Sequence, residues 1–129
     1  MKRHHKDWLK AYLEFTEHSE APERFHFWSG VSTVAGALRR KVWIDLGYFV
    51  WFANFFIVFV APPGVVSKST TANIGMDLLS DVPGIHFGPT TGTWQGLIKK
   101  MEDLTEEFEA PDENYYPMTA VTCVASELG

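Results

Sequence analysis

Residues 48–60, YFVWFANFFIVFV, are apolar or aromatic throughout except for Asn54. A run of this composition demands burial, in a bilayer or inside a sheet, and this restricts the folds open to the chain. A membrane-spanning helix needs about 20 apolar residues, and Pro62-Pro63-Gly64 ends the run after thirteen. Phe, Val, Ile and Trp dominate it, which favours extended structure covered on both faces, as in the central strands of an α/β sheet. No membrane span is expected.

The rest of the composition suits a single globular unit. The chain has 129 residues, 46% hydrophobic and 21% charged, enough apolar material for a core and too little charge for a disordered tail. Cys123 is the lone cysteine, so an internal disulfide and a thiolate zinc cage are both excluded. A reducing, cytoplasmic setting is expected, since the charged N-terminus runs into an amphipathic pattern without the apolar stretch of a signal peptide. The net charge of −5 is unevenly spread: residues 1–41 hold eight bases and five acids, and residues 42–129 three bases and eleven acids. Only the first third has the charge to approach a nucleic-acid backbone. Seven acids and no base lie within 101–116, which reads as a helix end running into a solvated loop.

Periodicity places the elements. Trp8, Leu9, Tyr12, Leu13 and Phe15 recur at helical spacing, and Pro22 with Glu23 opens a second helix that reaches Arg39-Arg40-Lys41. Small residues across 30–37 allow a neighbour to come close. A strand is predicted over 41–46, a turn at Gly47, and a buried strand over 55–60 once Asn54 divides the aromatic run. A helix over 69–79 stops at Val82-Pro83-Gly84. A short strand follows at 85–87, then a helix from Trp94 capped by Thr93, and a strand over 119–125 ending at Ser126-Glu127. Strands alternating with helices imply a three-layer α/β sandwich with a mainly parallel sheet. Residues 1–41 form a helical lead-in and 42–129 the sheet-bearing core.

The segment that carries chemistry follows the buried strand. Ala61, Pro62, Pro63, Gly64, Val65, Val66 and Ser67 make a Pro/Gly loop, and Lys68, Ser69 and Thr70 open a helix. Nucleotide phosphates need such an order. Loop N–H groups and the positive helix end surround the β-phosphate, a lysine neutralises the β and γ oxygens, and a hydroxyl coordinates magnesium. Lys68 and Ser69 fit the last two roles. The spacing departs from G-x-x-x-x-G-K-S/T, because Ser67 stands where the second glycine would be and Pro62 where the first would be. Whether Ser67 can adopt the conformation glycine usually supplies is open. The competing reading is a Pro-Pro-Gly turn whose following helix happens to begin Ser-Lys-Ser-Thr.

On these residues the chain resembles the RecA-like P-loop ATPases of phages, plasmids and related mobile elements, described as replicative helicases or primase-helicases. The resemblance runs through Glu20-Ala21-Pro22, Trp28-Ser29-Gly30, Gly36-Ala37-Leu38-Arg39-Arg40 and Asn54. It continues through the loop to Lys68-Ser69-Thr70, Thr93-Trp94-Gln95-Gly96-Leu97 and Ala125-Ser126-Glu127-Leu128-Gly129. It implies an incomplete P-loop NTPase core that binds ATP and Mg2+. Glu127 would then act on the attacking water and share the metal with Ser69. It also implies a longer homo-oligomeric protein whose sensor and arginine finger lie beyond Gly129, so that the chain by itself would be weakly active or inactive, with apolar edges exposed. DNA is the implied partner, met as single strand by Arg39, Arg40 and Lys41 with Trp43 nearby for stacking. A solvated helix end is the alternative for those bases. A non-catalytic scaffold and a packaging motor are the alternatives for the whole.

Other chemistry finds little support. His4, His5, His18, His26 and His86 lack metal-ligand spacing, and no Gly-x-Ser-x-Gly elbow is present. Thr90, Thr91 and Thr93 should lie on the same sheet edge as the phosphate loop, with helix capping their expected work. Phe25, Phe27, Trp28, Trp51 and Phe52 are expected in the core.

Overall fold

The computed structural model describes residues 6–90 and 93–125. Its elements are α1 (Trp8–Thr16), α2 (Glu23–Leu38), β1 (Trp43–Asp45), β2 (Val50–Phe52), α3 (Lys68–Ser80), α4 (Trp94–Asp103), β3 (Glu106–Glu109) and β4 (Tyr115–Met118). Asp7 starts α1 by accepting from the N–H groups of Leu9 at 3.0 Å and Lys10 at 3.2 Å, satisfying donors that the first turn leaves orphaned. Pro22 sits immediately before α2, and Arg39 ends that helix in the left-handed region at φ 55°. Thr93 caps α4, its hydroxyl accepting from Gly96 N–H at 3.3 Å.

The core is a helical layer centred on α2, which packs α1 on one side and α3 on the other. Small residues make this possible. A Cβ built on Gly75 of α3 would lie 2.7 Å from Ser29 Oγ and 2.6 Å from Thr33 Oγ1, so only glycine lets the two helices approach this closely. Hydroxyls line the seam: Tyr12 donates to Ser29 Oγ at 3.3 Å, and Ser29 donates to the Thr71 carbonyl at 3.0 Å. Tyr12, His26, Thr71 and Leu79 are buried there. A buried polar group costs little only when it is bonded, and Tyr12, Ser29 and Thr71 are. Through α2 the lead-in is thus packed directly against the helix that begins at Lys68.

Sheet structure among the described residues consists of two two-stranded antiparallel hairpins and one isolated parallel bridge. In the first hairpin Trp43 faces Phe52 and Ile44 faces Trp51, with Gly47 at φ 82° in the turn. In the second, Glu106 faces Met118 and Phe108 faces Tyr116. The bridge joins Phe87 to Thr122: Gly88 N–H donates to the Thr122 carbonyl at 2.9 Å and Thr122 N–H to the His86 carbonyl at 3.0 Å. It links the two short segments expected as strands on either side of α4.

Three local expectations are corrected. The strand expected over 55–60 forms no ladder among the described residues. It keeps a two-residue alternation, with Ile57 and Phe59 half-buried while Phe56 and Val60 are 87% and 82% exposed. A central strand is covered by neighbours on both faces; here one face meets α2, where Phe59 stacks on Phe25 at 4.7 Å between ring centroids. The acidic stretch expected as a loop folds instead as the β3–β4 hairpin, because Phe108, Tyr115 and Tyr116 are strand formers interleaved with acids that point to water. Trp51, expected in the core, is exposed on β2, since a lone hairpin covers only one of its faces, and Phe27 and Trp28, expected there too, are exposed on α2. No helix among the described residues is long and apolar enough to cross a membrane.

Candidate phosphate-binding loop

Residues 61–67 connect the exposed apolar segment to α3, turning at Pro63, Gly64 and Val65. Gly64 has φ 73°, and a Cβ built there would meet nothing within 4 Å. The glycine is required by backbone conformation alone, and the space beside the loop is open. Ser67, at φ −79° and ψ 63°, is the centre of an inverse γ-turn in which Lys68 N–H donates to the Val66 carbonyl at 2.9 Å, a conformation that does not call for glycine.

Lys68 is the first residue of α3, and its Nζ donates to the Ala61 carbonyl at 2.7 Å. The lysine therefore clasps the loop across its two ends. Behind it, Thr71 anchors the first turn: its hydroxyl and its N–H both donate to the Ser67 carbonyl at 3.0 Å, and its own carbonyl accepts from Ser29 of α2. The N-terminus of α3 has no side-chain cap. Its positive end, together with the lysine, is the chemistry that attracts an anion. The Ser67 hydroxyl is turned away to Glu20 Oε2, to which it donates at 3.1 Å. Ser69 and Thr70 are exposed beside the lysine, as a magnesium-coordinating hydroxyl would need to be.

Glu127, expected as the partner of Ser69 at the metal, lies outside the described residues, as do His4, His5 and Thr91. The bridge at Thr122 sets the segment leading toward it parallel to 85–87. Among the described residues no group of three or more His, Cys, Asp or Glu side chains is placed to hold a metal ion. Partial burial pushes the Cys123 thiol above its usual range, which lowers its share of reactive thiolate.

The basic cluster is divided. Arg39, with its side chain 10% exposed, pairs with Glu106 and lies 5.0 Å above the Phe108 ring. Arg40 donates from Nε to the Thr119 carbonyl at 2.9 Å and sits 5.0 Å above Phe52. Both tie the end of α2 to the second half of the chain, while Lys41 is exposed. Glu106 also meets His86 Nε2 at 2.7 Å, and the His86 and Arg39 bonds hold its carboxyl below the usual range. Composition gave no sign of this three-residue cluster; the only available signal was strand alternation, which puts Glu106 on the face opposite Glu107. A cavity of about 290 Å³ opens beside it, lined by Arg39, Arg40, Asn54, His86 and Cys123 among others and by no residue of 61–70. The candidate loop and the cavity are separate places.

Comparison with protein-family models, with curated proteins and with solved structures found no match to this chain.

Proposed function

We propose that the chain is the nucleotide-binding part of a RecA-like P-loop ATPase, of the replicative helicase or primase-helicase type carried by phages and mobile elements. One observation carries the reading: a glycine-turned loop whose following lysine stands first in an uncapped helix and reaches back to the loop carbonyl of Ala61. Loop, lysine charge and helix end are neighbours, and triphosphate binding draws on all three.

In this reading Lys68 leaves the Ala61 carbonyl to meet the β and γ oxygens, loop N–H groups face the β-phosphate, and Ser69 with Glu127 holds Mg2+. The fold belongs to the P-loop NTPase core, with the parallel pairing of Phe87 and Thr122 as part of its sheet. A cytoplasmic setting, homo-oligomeric assembly and single-stranded DNA as partner complete the proposal. Of these three bases Lys41 is the exposed one, while Arg39 and Arg40 are engaged within the chain.

Titration of a fluorescent ATP analogue with magnesium into wild type and Lys68→Ala tests the reading. Binding should weaken at least tenfold in the variant. Equal binding by the two proteins would contradict it.

A further inference from the structure

We propose that Glu20 is an acidic stop on the phosphate loop, a specificity-determining residue that makes the loop prefer magnesium-complexed nucleotide over the metal-free form. This rests on the reading of residues 61–70 as the phosphate site. Glu20 is remote in sequence from the loop, yet its Oε2 accepts from the Ser67 hydroxyl at 3.1 Å. Ser67 immediately precedes Lys68. A carboxylate is therefore held at the positive end of α3, where a phosphate would enter. In the free chain Lys68 directs its Nζ to the Ala61 carbonyl and not to this carboxylate.

Neighbouring packing fixes the backbone that carries Glu20. Ala21 is buried beside it, Ser19 bonds the ring of buried His26, and Pro22 starts α2. Through Ser29 and Gly75, α2 is locked to α3. The corner between α1 and α2 cannot recede from the loop without opening that seam, so the backbone that carries the carboxylate stays beside the loop when a ligand enters. Two anions at one helix end repel, and the repulsion grows with the charge of the entering phosphate. Magnesium cancels two of the charges on a nucleoside triphosphate, so the complexed form is penalised less.

Affinities of ATP with magnesium and of ATP in chelator, measured for wild type, Glu20→Gln and Lys68→Ala at low and high salt, test the inference. Glu20 is exposed, so the amide replaces it without disturbing a core. The amide should tighten metal-free ATP about fivefold and the magnesium complex by less than about twofold. The gain should fade at 1 M salt, where the screening length is ~3 Å. A Glu20→Gln protein that binds both forms as wild type does, or more weakly, overturns the inference while leaving the loop reading intact. If instead Lys68→Ala binds like wild type, or none of the proteins binds nucleotide, the loop reading fails and the inference with it.

Discussion

Single side chains in the helical seam decide whether α3 can present its lysine. Gly75 is the clearest case, because any larger residue must displace Ser29 and Thr33. Gly75→Val should lower stability by ~1–3 kcal/mol, read from the urea midpoint, and should weaken nucleotide binding as α3 shifts. His26, 2% exposed, is held by burial below its ordinary pKa. The unfolded chain therefore takes up this proton first, near pH 6.5, and the neutral ring's contribution is lost as pH falls from there through the lowered folded value. Urea midpoints should decline between pH 7 and pH 5, with a shallower decline in His26→Gln. Small residues over 30–37 announced a close helix contact in advance; that Ser29 would reach the Thr71 backbone depends on a three-dimensional register that periodicity does not contain.

Among the elements, helices were legible and strands only in part: β1 lies within the strand expected over 41–46, with Gly47 in its turn, and the bridge of Phe87 to Thr122 falls in two segments expected as strands. Periodicity and capping residues are local, and Asp7, Pro22 and Thr93 stand at helix starts as their chemistry requires. Strand pairing is non-local, and the β3–β4 hairpin was concealed by its charge. Its turn is built by Asp112, whose carboxylate accepts from Asn114 N–H at 3.2 Å and from the Tyr116 hydroxyl at 2.6 Å. Glu113 occupies the left-handed region at φ 64°, a conformation that Asn adopts more readily. Glu113→Asn should raise stability by on the order of 0.5 kcal/mol, a shift of about 2 °C in the melting midpoint. The hairpin is joined to α2 and to His86 through Glu106. Because that carboxyl's folded pKa is depressed, its contribution is full above the unfolded value near ~4.3 and is lost as pH falls through the folded value. Signals from Phe108 and Tyr116 should report loosening of the hairpin below pH ~4, and Glu106→Gln should show the loosened state already at neutral pH.

Taken whole, the molecule exposes 9955 Å², against about 6,900 Å² for a compact monomer of this mass. Tyr48 is 95% exposed, and Phe49, Trp51, Phe55 and Phe56 are exposed as well. The native protein should accordingly bind the dye ANS, and the double variant Tyr48→Lys/Phe56→Lys should bind less of it without a loss of helical signal. The run 48–60 marked the chain as needing cover, but which segment would supply that cover was not readable, since pairing partners leave no trace in one strand's own composition. Around the candidate loop the turn at Gly64 and the helix from Lys68 were legible because they are contiguous and local, whereas the buried strand expected before them forms no ladder among the described residues. Amide hydrogen exchange with and without magnesium and ATP reports on the loop itself. Amides from Gly64 through Thr71 should be protected by nucleotide in wild type and unprotected in Lys68→Ala; no change there, or protection confined to the cavity around Arg39, His86 and Thr122, would contradict the assignment of this loop as the phosphate site.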